Sequence, residues 1–415
     1  MRPAQFSRFQ LCTTSYHLPT ATYSSTEVQS KAEPKRAALE FNIRSSSFHL
    51  FSFKVDPGMA PRRPVIVIVG PTGTGKTVLG IAIASHLNTE VISVDSLQCY
   101  KHGHIMTAAP TAAEMKHVKH HMVDYLPPDA EPGPGFVRRA VTVANNLHAK
   151  GKIPILVGGS TSLMLPILLA PRGNNLGTTV AEVLNDHEGK DCGRLRWRTL
   201  VILLKGKDEE SLGKRQDARV EEMLAMGLVR ELKELYLLQK ELNLKKYGTK
   251  SRLDDEEVGK RGVWKCIGYK ELYPFLVVTD NRAMRTLTSN TQPDHGLHGP
   301  YGNSNGLMEE VKEVQEEEGE TLLKEGIEMM KESTRWYAQW QTTWSEIVLV
   351  PKLRTEGMPV HRFEVPSTIG TCNENRHGER EQNRDGDFKK RWVESVEGPA
   401  MRLCEAWRAA VNQLA

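Results

Sequence analysis

The chain has 415 residues, of which 39% are hydrophobic and 26% are charged, and its formal net charge is +4. This length suits two domains, or one domain with appendages, and the small net charge gives no global sign of nucleic-acid binding. The six cysteines are scattered without a C-x-x-C pair, which argues against a disulfide scaffold and a cysteine-based zinc site and favours a reducing compartment. No apolar run reaches about 18 residues, so we expect no transmembrane helix and no membrane partner.

Residues 1–58 have the composition of an appended segment. The first 26 contain no Asp or Glu, but contain Arg2, Arg8 and many Ser and Thr residues, which is typical of a transit peptide. A disordered tail and an untranslated upstream stretch remain open alternatives, since Met59 stands just before the core. We therefore expect 1–58 to be a disordered or targeting extension, and the protein to be cytoplasmic, mitochondrial or both.

The strongest motif begins with the β-branched run Val65–Val69, which predicts a short buried strand. The next eight residues, GPTGTGKT at 70–77, fit the phosphate-loop pattern G-x-x-x-x-G-K-[ST], and the apolar period that follows predicts a helix. Glycines let backbone N–H groups turn toward phosphate oxygens, and the helix N-terminus favours the same anion. Lys76 supplies a positive charge and Thr77 offers a hydroxyl to Mg²⁺. The candidate phosphate contacts are Gly70, Pro71, Thr72, Gly73, Thr74, Gly75, Lys76 and Thr77.

A second strand is predicted over Val91–Val94, and the polar residues Asp95, Ser96 and Gln98 follow it. Ligands of open parallel sheets bind outside the carboxyl ends of the strands, which places Asp95 beside the phosphate loop. From position alone, a base, a metal ligand and an ordinary strand cap remain open roles for Asp95. Adjacent side chains point apart, so the pair His120-His121 is interpreted as structural rather than as a shared metal site.

Helices and strands are predicted to alternate beyond this point, which indicates an α/β fold with a parallel sheet. Arg215 and Arg219 lie four residues apart on one predicted helix face, where they either grip a diphosphate or are solvated charges. The predicted elements are a helix over Phe136–Lys150, a strand over Ile153–Val157, a strand over Leu200–Leu204, and helices over Glu209–Lys240, Val263–Leu276, Ile327–Trp344 and Pro399–Leu414. The expected organisation is a phosphate-loop core at 59–280, a flexible insertion at 281–320, and a helical region at 321–415 with a disordered stretch near 373–390.

Seven blocks in this order resemble the tRNA dimethylallyltransferase family, also called isopentenyltransferases, in its eukaryotic and especially fungal form. The blocks are GPTGTGKT (70–77), VISVDSLQCYK (91–101), HHMVD (120–124), PILVGGSTSL (154–163), DARVEEMLAMGLVRELKELY (217–236), GVWKCIGYKELYPFL (262–276) and TRWYAQWQ (334–341). The resemblance implies a parallel phosphate-loop sheet flanked by helices, with a helical C-terminal part. It also implies that the chain moves a dimethylallyl group from its diphosphate to N6 of adenine.

The resemblance implies a role for each candidate residue. The diphosphate lies with Mg²⁺ in the 70–77 loop, and Asp95 takes the proton of the attacking amine. Lys76, Thr77, Arg215 and Arg219 stabilise the leaving diphosphate. The residues implied to contact the acceptor or the donor outside the loop are Ser96, Gln98, Ser160 and Thr161.

The favoured acceptor is adenosine 37 in the anticodon stem-loop of tRNA, and we expect a monomer. Several departures from the tRNA pattern keep a free adenine nucleotide (AMP, ADP or ATP) as the alternative acceptor. The turn Gly159-Ser160-Thr161 is closer to adenylate-type enzymes, and Gln339 and Trp340 stand where the family usually has Lys and Arg. Only 171–193 fills the place of the family's helical insertion, and no zinc-finger pattern follows Trp344. A nucleotide kinase and an inactive binding relative are the alternatives of other classes.

Overall fold

The computed structural model describes residues 39–44, 50–55, 62–170, 194–247, 258–289, 304–367 and 387–413. The strands are β1 (Leu39–Arg44), β2 (Leu50–Val55), β3 (Pro64–Val69), β4 (Val91–Ser93), β5 (His120–His121), β6 (Ile155–Val157), β7 (Leu169–Ala170), β8 (Arg194–Leu195), β9 (Arg198–Gly206) and β10 (Val360–Val365). Six of them form one sheet in the order β10-β9-β3-β6-β4-β5, and every neighbouring pair is parallel. The predicted parallel α/β fold is therefore confirmed.

The helices surround this sheet and supply most of the C-terminal half. They are α1 (Lys76–His86), α2 (Ala112–His117), α3 (Gly133–Ala149), α4 (Met164–Leu168), α5 (Glu209–Ala225), α6 (Leu228–Tyr247), α7 (Tyr269–Ser289), α8 (Ser304–Trp344), α9 (Val350–Thr355), α10 (387–392) and α11 (Gly398–Asn412). A 3-10 turn covers Gly262–Lys265, and π-helical turns cover Ser345–Leu349 and Val393–Glu397. None of the helices in the described ranges is long and apolar enough to cross a bilayer.

The central strand β3 is buried on both faces, which explains its unbroken apolar sequence. Val65, Val67 and Val69 belong to a core cluster that includes residues of α3, α6 and α7. Ile66 and Ile68 point to the opposite face and belong to a cluster with residues of α1 and α11. Each fully buried Val or Ile contributes about 1.5–3 kcal/mol, so the two clusters fix the strand from which the phosphate loop starts.

The single helix predicted over Glu209–Lys240 is instead two helices, α5 and α6. Asp208 caps the start of α5, because its Oδ1 accepts a hydrogen bond from the Ser211 N–H at 2.6 Å. The break falls at Gly227, whose φ of +102° is a conformation that glycine adopts without strain. The prediction was wrong here because the apolar period continues through the break.

Several other boundaries differ from the expected ones. Helices α7 and α8 extend into the range 281–320 that was expected to be a flexible insertion, and 290–303 lies outside the described residues. Of the stretch near 373–390, only 387–390 is described, and it is helical. In the expected extension 1–58, β1 and β2 pair as an antiparallel hairpin. A targeting role for this extension stays a prediction.

Candidate active site

The carboxyl edge of the sheet brings the sequence-predicted segments together. The Val94 N–H donates to the Val157 carbonyl at 2.7 Å, and the Gly158 N–H donates to the Ile68 carbonyl at 3.1 Å. These bonds join the ends of β3, β4 and β6. The phosphate loop, the Asp95 turn and the Gly158–Thr161 turn therefore open from one edge, as expected for ligand binding in a parallel sheet.

The phosphate loop is held in a fixed shape by its own polar groups. Thr74 is fully buried and its hydroxyl donates to the Pro71 carbonyl at 2.7 Å, while Lys76 Nζ donates to the same carbonyl at 2.8 Å. Gly75, with φ of +80°, caps the start of α1. This left-handed backbone conformation is open to glycine at little cost and would strain most other residues.

Lys76 lies in a positively charged and largely buried environment. Burial and, to a smaller extent, the charge of the nearby Arg219 lower the pKa of Lys76 from 10.5 to about 7, while the charge of Asp95 acts in the opposite direction. The charged form of an amine is unfavourable in a buried, positively charged environment unless an anion is close. The site is therefore suited to an additional negative charge.

Helix α5 contributes two arginines beside the loop. Arg215 Nε donates to the Gly73 carbonyl at 3.0 Å, while its Nη1 is buried and has no hydrogen-bond partner in the described chain. Burial lowers the pKa of Arg215 and of Arg219, and Arg219 adds to the effect on Arg215. Arg219 forms no ion pair within 4 Å with any described residue. Two half-buried guanidinium groups, of which Arg215 has a buried donor without a partner in the described chain, form a site suited to an anion.

Asp95 is fixed at the end of β4 by its own turn. Its Oδ1 accepts hydrogen bonds from the Leu97 N–H at 2.9 Å and from the Gln98 N–H at 3.4 Å. Its Oδ2 accepts none from the residues that the structure describes. The charge of Asp95 acts to raise the pKa of both Lys76 and Arg219, so the three side chains share one electrostatic environment.

The other predicted contact residues differ in whether their side chains already form hydrogen bonds within the protein. The Gln98 amide is already engaged, because its Oε1 accepts from the Ser93 hydroxyl at 2.7 Å and its Nε2 donates to the Ala108 carbonyl at 3.0 Å. Ser160 is buried, with its hydroxyl 3.4 Å from that of Ser162. Ser96 and Thr161 are half-buried, and their hydroxyls bond to no other described group.

Two glutamines complete the site and had no assigned role in the sequence interpretation. The Gln341 side chain of α8 accepts from the Thr72 N–H at 2.8 Å and donates to the Gly159 carbonyl at 2.9 Å. The Gln216 side chain of α5 donates to the Thr72 carbonyl at 3.1 Å. Gln341 stood in the block TRWYAQWQ, but nothing local in the sequence indicated a contact over 269 positions.

Helix α8 also presents an aromatic face beside this edge. Trp336, Tyr337 and Trp340 are 58%, 38% and 43% exposed. Burial raises the pKa of the Tyr337 phenol and the charge of Asp95 raises it further, so Tyr337 lies in the environment of the carboxylate. Arg335, which precedes this face, is engaged in an ion pair with Asp217 of α5.

The residues of the loop fit a magnesium ion held together with a diphosphate. Thr77 lies in the first turn of α1, and its hydroxyl makes no hydrogen bond within the described ranges. Hydroxyl, carboxylate and phosphate oxygens are the ligands that Mg²⁺ prefers. No cluster of three or more His, Cys, Asp or Glu side chains that could hold a metal occurs among the described residues. His121 pairs with Glu90 at 2.6 Å, in agreement with a structural role.

Comparison with known proteins gives two family-model matches. The model described as IPP transferase matches residues 98–171 and 172–346, which is more than half of the chain. The model described as "ATPase family associated with various cellular activities" matches residues 66–123, a range that starts in β3 and contains the phosphate loop.

Similar curated proteins have names consistent with the first match. A "Bifunctional cytokinin biosynthesis protein" of Fusarium pseudograminearum is 34% identical over 345 residues, covering 82% of this chain and 52% of the relative. The chain thus spans about half the length of that protein. The "tRNA dimethylallyltransferase" of Mus musculus is 24% identical over 414 residues, covering 84% of this chain and 76% of the relative.

The fold has a counterpart among solved structures. The crystal structure of a eukaryotic dimethylallyltransferase acting on tRNA matches with a TM-score of 0.58 and 21% identity, covering 84% of this chain and 80% of that chain. At this identity the match supports the fold alone. The family-model match over 98–346, together with the phosphate loop that precedes it, shows that the chain belongs to the IPP transferase family.

Proposed function

We propose that this chain transfers the dimethylallyl group of dimethylallyl diphosphate to N6 of adenine. The observation that carries the proposal is the meeting of a phosphate loop, two half-buried arginines and the Asp95 carboxylate at one sheet edge. The cations stabilise the negative charge of a leaving diphosphate, and the carboxylate accepts the proton of an attacking amine. Membership of the IPP transferase family supports the same chemistry.

The reaction balances with the groups that the site provides. The N6 nitrogen attacks C1 of the dimethylallyl group, the C1–O bond breaks, and diphosphate leaves with the bonding electrons. Lys76, Arg215 and Arg219 stabilise the negative charge that grows on the leaving group. The N6 proton passes to Asp95, whose Oδ1 is held by the turn while Oδ2 is left for the acceptor.

Magnesium fits the role of counter-ion to the diphosphate. We infer that Thr77 would hold it through its hydroxyl, together with phosphate oxygens. When bound, Mg²⁺ supplies positive charge that further favours departure of the diphosphate. The protein's own residues bind and orient the donor and remove the proton.

The favoured acceptor is adenosine 37 in the anticodon stem-loop of tRNA. The name of the mouse relative, which covers most of this chain, supports tRNA. The aromatic face of Trp336, Tyr337 and Trp340 offers surfaces on which unpaired bases can stack. An adenine mononucleotide is the second candidate, since the Fusarium relative is named for cytokinin biosynthesis. We expect the protein to act as a monomer.

The proposal is tested by offering both acceptors to one preparation. Purified protein with Mg²⁺ and labelled dimethylallyl diphosphate is incubated with an unmodified anticodon stem-loop containing A36–A37–A38, and separately with AMP. Labelled stem-loop and free diphosphate are the expected products, and Asp95→Asn should form both much more slowly. Labelled AMP with no labelled stem-loop would reassign the acceptor. With ATP added to the AMP reaction, transfer of its γ-phosphate to AMP without prenyl transfer would indicate a kinase. Donor binding without diphosphate release would indicate an inactive relative.

A further inference from the structure

We propose that Phe388 and Trp392, which lie on α10 in the C-terminal segment 387–413, are positioning residues of the diphosphate site. They hold Arg215 and the glycine at the start of α1 in the geometry that binds the anion. Both residues lie beyond the range 98–346 that matches the family model. The inference rests on the proposed function only in taking a diphosphate as the ligand of the loop.

Trp392 packs directly on the phosphate loop. Its side chain is 5% exposed, and a Cβ placed on Gly75 would lie 2.6 Å from its Cη2 atom. The indole therefore lies in contact with the glycine backbone and leaves no room for a side chain at this position. Because Gly75 caps the start of α1, the contact restricts the backbone N–H groups that face a bound phosphate.

Phe388 packs against Arg215, one of the two arginines of the site. The Arg215 Cζ atom lies 4.5 Å from the centroid of the Phe388 ring, a cation–π contact. Its Nε is bound to the Gly73 carbonyl, so the ring and the loop together fix the guanidinium plane. The buried Nη1, which has no partner in the described part of the chain, is left as the donor for an anion. An arginine fixed in this way loses little rotamer freedom when it binds an anion, so the entropic cost of binding is smaller.

One aromatic pair thus links both anion-binding elements. The ring centroids of Phe388 and Trp392 are 6.4 Å apart. The segment is anchored independently of them, because Val396, Leu403 and Trp407 are buried in the same core cluster as β3, β9 and α1. A substitution at Phe388 is therefore expected to alter the site while leaving the segment folded.

The test measures binding of inorganic diphosphate with Mg²⁺ to the full chain, by calorimetry and by tryptophan fluorescence. Phe388→Leu is expected to raise the Kd about five- to tenfold, and Phe388→Tyr, which keeps the ring, to restore binding. In an Arg215→Ala background Phe388→Leu should have no further effect, because the ring acts through the guanidinium. The fluorescence change on binding should be lost in Trp392→Phe but retained in Trp407→Phe, the matched control on α11.

The outcomes separate this inference from the proposed function. Unchanged affinity in Phe388→Leu, with weak binding in Lys76→Ala, would refute the positioning role and leave the diphosphate site intact. An equal loss from Phe388→Leu with and without Arg215 would also refute it, since the ring would then act through general stability. Unchanged affinity in Lys76→Ala would instead remove the loop from diphosphate binding and contradict the proposed function.

Discussion

The Lys76 ammonium group is expected to make diphosphate binding depend on pH, and its pKa of about 7 sets the size of the effect. At pH 8 a group with this pKa is protonated in only about a tenth of the molecules. A bound diphosphate favours the charged form and raises the pKa, because opposite charges stabilise each other. Binding at pH 8 should therefore take up about 0.9 proton per site, and affinity should fall up to about tenfold per further pH unit.

Calorimetry measures this proton uptake directly. A non-reacting thiolo analogue of dimethylallyl diphosphate is titrated into the protein at pH 8 in Tris and in HEPES, which differ in ionisation enthalpy. The difference in heat gives the protons bound, and Lys76→Met should abolish it. Lys207→Met, which replaces an exposed lysine after β9, should preserve it. An uptake below about 0.2 proton in the unsubstituted protein, or one unchanged by Lys76→Met, would refute the reasoning.

Three further predictions concern the base, the acceptor and a buried ion pair. Asp95→Asn should lower kcat about 10²–10⁴-fold with little change in the Kd of the donor, as measured by single-turnover kinetics. A collapse of donor binding instead would contradict the role of Asp95 as the base. Trp340→Ala should weaken transfer to a stem-loop more than transfer to AMP, and only stem-loop transfer should fall steeply with salt. Burial acts to raise the pKa of Glu90, but hydrogen bonds from Lys152 and His121 outweigh it and lower the pKa to about 2. Glu90→Gln should cost about 2 kcal/mol of unfolding free energy at pH 7 by urea titration, and the cost should shrink as the pH falls from 4.5 towards 2.

The parts of the site that could be predicted are those with local signals. Five β-branched residues followed by GPTGTGKT define strand, loop and helix within a short stretch, and Asp95 follows the next strand in the same way. The anchors of the loop could not be predicted, because Gln216, Gln341 and Trp392 approach it from helices far along the chain. A glutamine on a helix has no sequence pattern that names its distant partner.

Strand β10 was missed for a related reason. Val360–Val365 reads VHRFEV, with polar residues between apolar ones, and it joins the sheet at its edge beside β9. In β10 the sequence pattern was too weak to indicate an element. In the helix predicted over 209–240 the pattern was too continuous, because the apolar period runs past Gly227 and conceals the break there. Edge strands and helix breaks depend on tertiary contacts more than on periodicity.

The hydrogen bond between Gln341 and Thr72 can form only late in the synthesis of the protein on the ribosome. The two residues are 269 positions apart, so the loop is made long before its anchor leaves the exit tunnel. At about 5–20 residues per second, this interval lasts roughly 15–55 seconds. During that time the nascent chain has the complete phosphate motif without the contact that shapes it. A ribosome that stalls in this interval should release a fragment that carries the motif but binds diphosphate poorly.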